Sequence, residues 1–485
     1  MYDESTAIDE PEKTKDKLLH ELKESSHAPK FNYEATDMLS NAGLELVRKF
    51  QAELKELRLD KDLRGEFMCR KLRGLLTTAS REIFNYMDLD ELKVDVNELT
   101  DAEIMDLLHK LPFSKREDLA QRPWKHIPIS ESFNDMIVYV TAGTTAEPMK
   151  VPSHPVTTGC YSPLLLEALH QHGIHPEFSR DDVGICLVCF QEKTVTFVTR
   201  LQMVHNSGFM KINIKDSEWR DPLDPYRYIR QFQPRLLTGD PFSFSELAHL
   251  GNLLEDAGDD GGRIQPEAMI TTAVALKDGI RSYLTDHFDA KVIELYSLTE
   301  TGPVAYSCRM GHGYHVLPHD IVLEVVDHDG NPVGAGDIGE ITISGGRNPY
   351  FPLIRYRTGD WGRVDRSGTC ECGDPMPLIK DLEGRQPILY HTCNGTWINN
   401  RDITAVLEQF PITRFHFHQD GSGNFHLVAR LASFDKMTTE ELLESALQNI
   451  LGNTARIDVK IDPKLGDSNR GKVIPFSTEY PLFYE

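Results

Sequence analysis

Three short runs of this sequence and one scattered set carry residue types that could do chemistry together. Tyr350-Phe351-Pro352-Leu353-Ile354-Arg355-Tyr356-Arg357-Thr358-Gly359-Asp360 reads as a buried strand end opening into a Gly-Asp turn, which would hold a carboxylate at a fixed height above a sheet. Thr141-Ala142-Gly143-Thr144-Thr145-Ala146 follows the apolar run 136–140. A strand running into a hydroxyl- and glycine-rich turn offers amides and hydroxyls to phosphate oxygens. It is not a Walker loop, because the Gly-Lys-Ser/Thr ending is missing. Tyr296-Ser297-Leu298-Thr299-Glu300 supplies an aromatic ring, a hydroxyl and a carboxylate, and Mg²⁺ prefers one or two carboxylates together with phosphate oxygens. The fourth set is Cys308, His315, Cys370 and Cys372. Three cysteines and a histidine suit tetrahedral structural Zn²⁺, since soft thiolates select it over Mg²⁺. His312 and His319 are rival nitrogen donors.

Together with Thr271-Thr272-Ala273-Val274-Ala275-Leu276, Gly384-Arg385 and Gly471-Lys472, these runs resemble the adenylate-forming enzymes, which activate a carboxylic acid with ATP. The wording Pro-Leu-Ile-Arg-Tyr-Arg-Thr-Gly-Asp is most similar to the phenylacetate–CoA ligase family, and Leu111-Pro112-Phe113-Ser114-Lys115-Arg116-Glu117-Asp118-Leu119 resembles the segment preceding its nucleotide loop. The resemblance spans roughly residues 111 to 476. It implies that Thr141, Gly143, Thr144 and Thr145 line the phosphate loop, that the backbone near Ala273 meets adenine, and that Tyr296 offers adenine a ring face. Thr299 would meet the α-phosphate, Glu300 would hold Mg²⁺, and Asp360 would take the ribose hydroxyls. Arg385 would meet ribose or phosphate, and Lys472 would stabilise charge passing into the leaving pyrophosphate. Some relatives also carry the pattern of Cys308, His315, Cys370 and Cys372, which implies a structural zinc tying the Thr-Glu segment to the Thr-Gly-Asp segment.

The implied activity is acyl-adenylate formation from an aryl or other small carboxylic acid, followed by transfer to a thiol, first of all CoA. A carrier-protein thiol or an amine is the alternative acceptor, and a nucleotide-binding protein without turnover is a third reading. Ala142, Ala146, Glu147 and Val274 depart from the family pattern and keep that third reading open. At the hinge, where relatives have Asp, stand Gln386-Pro387-Ile388, and proline restricts both itself and its predecessor.

The elements that must position these residues alternate between strand and helix. Short apolar strands over 183–190, 235–238, 268–272 and 292–296, separated by helices over 162–172 and 241–254, predict a layered α/β domain. Antiparallel strands over 321–326, 339–344 and 353–356 follow, with a hairpin signal at Asp329-Gly330. The pattern restarts after Gly384, with helices over 403–408 and 438–451 and strands over 424–431 and 457–461. The fold class is therefore α/β, with a large domain over 1–383 and a small α+β lid over 384–485. Residues 1–30 read as a peripheral arm, followed by amphipathic helices over 32–57 and 72–86, and Ser114 with Glu117 reads as a helix N-cap.

At 485 residues, two or more domains are expected. A formal charge of −23 argues against nucleic-acid or anionic-membrane binding, so an anionic substrate must be met by local amides, cations and metal. The acidic, polar N-terminus is unlike a signal peptide, and a cytoplasmic monomer or homodimer is expected. Eight cysteines in so long a chain do not make a disulfide scaffold, and Cys186 with Cys189 read as small buried hydrophobes. Phe190, Phe242 and Phe244 are aromatic candidates for an acid pocket, with buried core as their bland alternative.

Overall fold

Five parallel strands form the first half of a large sheet: Ser207–Asn213, Val183–Cys189, Leu236–Gly239, Ala268–Thr271 and Lys291–Leu298, in that spatial order. The coordinates are a computed structural model that describes residues 16–140, 149–191, 194–273, 276, 278–384, 388–432, 435, 437–466, 473 and 475–480. The strands are continuous runs of Val, Ile, Leu, Met and Cys, as strands covered on both faces must be. Helices Asp224–Phe232, Pro241–Asp256 and Asp278–Phe288 supply Tyr226, Leu247, Leu284 and Phe288 to one buried layer. Asn41–Leu59 and Tyr161–Gln171 supply Val47, Phe50, Leu164 and Leu169 to the other.

After Lys291–Leu298 the sheet turns antiparallel and runs on through Gly302–Ser307, Tyr314–Val316, Leu378–Gly384, Leu353–Asp365, Gly339–Gly345 and Ile321–Val326. Lys291–Leu298 is thus the seam between the two halves. Ligands in open α/β sheets bind outside the carboxyl ends of the strands, and Tyr296, Thr299 and Glu300 lie at that end of the seam strand.

A separate four-stranded sheet holds Ile457–Ile461, Phe425–Leu431, Ile412–Gln419 and Phe476–Thr478, in that order. Helices Asn400–Leu407 and Glu440–Leu451 belong to it, and Phe417, Phe425, Leu427, Leu443 and Leu447 make a core of its own. No helix among the described residues is long and apolar enough to cross a membrane.

Several local expectations are corrected. Residues 16–30 are not peripheral, because helix Lys17–Glu24 buries Leu18, Leu19 and Leu22, and the Leu22 carbonyl accepts from the Tyr228 hydroxyl at 2.7 Å. The amphipathic helices begin elsewhere, at Asn41 and at Lys61, where Ser40 and Asp60 cap them. Ser114 caps nothing. Its hydroxyl donates to the Ile354 carbonyl and its backbone bridges Tyr356 as a parallel strand partner. Asp329-Gly330 is a turn within a longer connection, closed by a bridge from Val326 to Pro332.

Candidate functional site

The Thr358-Gly359-Asp360 run is not a terminal turn. Strand Leu353–Asp365 continues through it, and the run forms a bulge against Gly339–Gly345: Arg357 pairs with Thr342 and Trp361 with Glu340, so three residues face Ile341 alone. Gly359 takes φ +78, a backbone conformation that favours glycine. The bulge is laced by side chains. The Thr358 hydroxyl donates to the Ile341 carbonyl at 2.7 Å, the Gly359 amide donates to Glu340 Oε1 at 3.1 Å, and the Asp360 amide donates to Thr358 Oγ1 at 3.0 Å. A bulge re-aims one side chain, and here that side chain is Asp360.

Its carboxylate accepts from the Tyr296 hydroxyl at 2.8 Å. Burial, then the Asp360 charge, holds the Tyr296 phenol far above its ordinary pKa, so it stays a donor. Ser297 lies inside strand Lys291–Leu298, paired with Pro303. Thr299, Glu300 and Thr301 form the tip between that strand and Gly302–Ser307, with Thr299 exposed and Glu300 buried at 6% exposure. Glu300 Oε1 accepts from the Tyr356 hydroxyl at 2.9 Å and faces Arg116 Nη1 at 3.5 Å. A buried carboxylate held on one oxygen by a phenol and a guanidinium fits an Mg²⁺ ligand, since the cation can replace the guanidinium.

The run from Leu111 to Leu119 owes its place to the strand it resembles a partner of. Arg355, at φ +46, donates to the carbonyls of His109 and Leu111 at 2.7 and 3.0 Å, and its guanidinium stands 3.9 Å over the Phe113 ring. With Ser114 bridged to Tyr356, helix Arg116–Gln121 begins beside Glu300. Sequence reasoning missed Arg116. The signal was present as a cation in the first turn after a Leu-Pro segment, but only the Ser114–Tyr356 pairing shows what it faces.

At the end of Ala268–Thr271, the Thr272 amide donates to the Gly239 carbonyl at 3.1 Å and Ala273 takes φ +72. Glu294 holds the far side of this loop, accepting from the Leu276 amide at 2.8 Å, from Arg281, and from the Tyr314 hydroxyl at 3.1 Å. Tyr314 precedes His315, so the loop expected to meet adenine is tied to the strand of the cysteine–histidine cluster.

That cluster is assembled from two knuckles. One follows Gly302–Ser307, where the Cys308 amide donates to the Gly313 carbonyl at 2.7 Å and the Gly311 amide to the Cys308 carbonyl at 2.9 Å. The other links Leu353–Asp365 to Leu378–Gly384 and carries Cys370 and Cys372. One ligand atom from each of Cys308, His315, Cys370 and Cys372 lies within 4.8 Å of the others. Cys308 Sγ and Cys370 Sγ are 3.8 Å apart, the edge of about 3.8 Å that a tetrahedron with Zn–S near 2.3 Å requires. His315 Nε2 is 3.1 Å from Cys372 Sγ, while its Nδ1 is 3.2 Å from the Met376 carbonyl, an arrangement that orients metal-binding imidazoles. Of the rival donors, His312 Nδ1 is 3.5 Å from Cys370 Sγ at the rim, and His319 is engaged elsewhere by Glu53. Burial alone would raise the Cys308 thiol, but amide donors and neighbouring thiols outweigh it and lower its pKa, while burial pushes Cys372 up to about 12. The second knuckle is anchored from outside by Asp374, which pairs with Arg58 of helix Asn41–Leu59 at 2.9 Å and accepts from Tyr306.

Over 193 residues the chain is 25% identical to a phenylacetate-coenzyme A ligase of Thermus thermophilus, a match covering 39% of this chain and 42% of that protein. It is 27% identical over 161 residues to a phenylacetate-coenzyme A ligase of Pseudomonas putida, covering 32% and 35%. The match therefore spans less than half the length of these curated relatives. No family model matches the chain. Among solved structures, 2-hydroxyisobutyryl-CoA ligase in its postadenylation state is similar with a TM-score of 0.59 at 14% identity, over 81% of this chain and 85% of that one. The same ligase with its adenylate and CoA, in the thioesterification state, gives 0.53 at 15%, over 87% and 91%.

The chain shares the fold of 2-hydroxyisobutyryl-CoA ligase.

In this fold, Tyr296, Glu300 and the loop at Ala273 lie at the carboxyl ends of two adjacent strands, and the bulge brings Asp360 to Tyr296 from an antiparallel strand. Thr141, Gly143, Thr144, Thr145, Arg385 and Lys472 lie outside the described residues. Their flanks are placed: Val140 pairs with Lys150, and Asn400 joins both sides of 385–387, donating to Glu383 Oε2 at 3.0 Å and accepting from the Ile388 amide at 2.8 Å. Of the aromatic candidates, Phe244 is wholly buried in the core. Phe242 is covered by Arg414 and Arg430, with Phe190 edge-on behind it at 5.2 Å.

Proposed function

We propose that this protein activates a small carboxylic acid with ATP, forming an acyl-adenylate and pyrophosphate, and then transfers the acyl group to CoA. The single observation carrying this reading is the convergence of Asp360, held by Tyr296, with Glu300, held by Tyr356 and Arg116, at the parallel-to-antiparallel seam. The similarity to phenylacetate-coenzyme A ligases supports an aryl acid as the first substrate to try. Neighbouring structures with bound acyl-adenylate and CoA support CoA as the acceptor.

In this reading Asp360 accepts from the ribose hydroxyls and Tyr296 lies against adenine beside the backbone of Ala273. Glu300 would hold Mg²⁺, which supplies charge neutralisation at the phosphates when bound. Thr141, Gly143, Thr144 and Thr145 line the phosphate loop, Thr299 meets the α-phosphate, and Arg116 faces the phosphates as a cation that the net charge of −23 makes necessary. The substrate carboxylate attacks the α-phosphorus, the bond to pyrophosphate breaks, and Lys472 stabilises the charge that moves onto the leaving group. In the second half-reaction the CoA thiol attacks the acyl carbon and AMP leaves. Residues 1–383 act as the large domain and 384–485 as the lid, with Arg385 at the ribose or phosphate. Cys308, His315, Cys370 and Cys372 would hold one structural zinc, whose part is to fix the two knuckles.

Acid-dependent exchange of labelled pyrophosphate into ATP, run over a panel of carboxylic acids, tests the first half-reaction, and mass spectrometry of a CoA thioester tests the second. Lys472→Ala is expected to slow exchange on the order of a hundredfold, as loss of one preorganised donor does. Exchange at the parental rate with failed thioester formation would move that lysine to the second half-reaction. No exchange with any acid would leave nucleotide binding without turnover.

A further inference from the structure

Arg414 and Arg430 face each other in register across strands Ile412–Gln419 and Phe425–Leu431, so their side chains leave the small sheet side by side. Both guanidinium groups stand over one ring of the large sheet's helical layer. Their central carbons are 3.8 and 4.4 Å from the centroid of Phe242, well inside the range in which a ring quadrupole attracts a cation. Phe242 lies in the first turn of helix Pro241–Asp256, whose start is fixed by Asp240 accepting from the Phe242 and Ser243 amides at 3.0 Å each. One turn on, Glu246 meets Arg430 at 3.4 Å and offsets the repulsion between the paired guanidiniums. The ring is therefore rigidly presented.

The far side of the arginine pair touches the chain just before Lys472. Arg430 Nη1 donates to the Leu465 carbonyl at 3.4 Å. Gly466, at φ +90, lies so close to Arg414 that an added Cβ would sit 2.5 Å from its Nη1. Residue 466 is six positions from Lys472. We propose that Phe242, Arg414 and Arg430 form a latch that seats the chain at Leu465 and Gly466, ahead of Lys472, against the large domain for adenylation, with Phe242 as its positioning residue. The inference rests on the assignment of Lys472 to the first half-reaction. The latch serves the first half-reaction, and transfer to the thiol does not depend on it.

Phe242→Leu keeps the apolar bulk and removes the ring face, while Phe242→Tyr restores it. The expected result for Phe242→Leu is about tenfold slower acid-dependent pyrophosphate exchange, with thioester formation from preformed acyl-adenylate and CoA unchanged or faster, and with Phe242→Tyr near the parent. Hydrogen exchange of the unliganded protein supplies an arm independent of turnover: amides at 412–417 and 463–466 should exchange faster in Phe242→Leu. Unchanged hydrogen exchange overturns the latch. Faster hydrogen exchange with unchanged pyrophosphate exchange overturns the positioning role, and so does a parallel loss in both half-reactions. A parent that gives no pyrophosphate exchange with any acid defeats the proposed function instead, and the hydrogen-exchange arm still decides whether the latch exists.

Discussion

The Tyr296 hydroxyl donates to Asp360 at 2.8 Å, joining the end of the last parallel strand to a bulge in an antiparallel one. The contact orients the carboxylate proposed above to take the ribose hydroxyls. Tyr296→Phe keeps the ring and loses the bond. ATP affinity measured by calorimetry should fall about fivefold, near the roughly 1 kcal/mol of an ordinary hydrogen bond. Asp360→Ala should cost far more, on the order of a hundredfold, because both the tyrosine and the ribose lose a charged acceptor. Equal losses in the two variants would place the ribose elsewhere.

The cysteine–histidine cluster makes a prediction about nucleotide binding as well as stability. Protein purified without added metal should carry about one zinc per chain by elemental analysis. Stripping it, or substituting Cys370→Ser, should lower the unfolding midpoint and weaken ATP binding together, because Tyr314, beside His315, bonds the Glu294 that holds the Leu276 amide. A metal-free protein as stable as the parent, with parental ATP affinity, would reject the site.

Much of the architecture was legible in the sequence. Short apolar runs such as Val183–Cys189, alternating with helical stretches, read as doubly covered strands, and the restart after Gly384 marked the small α+β unit with its own core. The donor types of Cys308, His315, Cys370 and Cys372, together with the family pattern they resemble, named a set that the fold gathers to within 4.8 Å. What could not be read were relations set by strand register. Thr-Gly-Asp looks like a turn, and only pairing with Glu340 and Thr342 makes it a bulge. Ser114 looks like an N-cap, and only its bridge to Tyr356 makes it a strand partner that delivers Arg116 to Glu300. Helix Lys17–Glu24 was hidden because its charged residues mask three buried leucines.

Ala273 occupies left-handed backbone at φ +72, where a Cβ costs roughly 1 kcal/mol. Ala273→Gly should therefore be neutral or stabilising by up to about 1 kcal/mol in the urea midpoint, whereas glycine at an ordinary position costs 0.5–1 kcal/mol. A loss of that size would show that the left-handed conformation is not the populated one.

His126 makes the pH prediction. It is 2% exposed, packed edge-on to Tyr86 and Phe351, and Asn85 Nδ2 lies 2.7 Å from its Nε2, a bond that needs an unprotonated ring nitrogen. Burial first of all lowers its pKa from 6.5 to about 4. A histidine depressed in this way binds its proton more readily in the unfolded chain than in the folded one. Its contribution is fully present above about pH 6.5, is lost progressively as pH falls toward 4, and is flat below that. At about 1.4 kcal/mol per unit, the loss attributable to this group is on the order of 3 kcal/mol. His287 is also depressed to about 4 by burial and adds to the slope in the same window. Unfolding midpoints of parent and His126→Gln, measured from pH 7.5 to 4.5, should converge as pH falls, because the variant cannot take up the proton. Parallel curves across that window would mean that His126 takes up its proton at the same pH in the folded protein as in the unfolded chain.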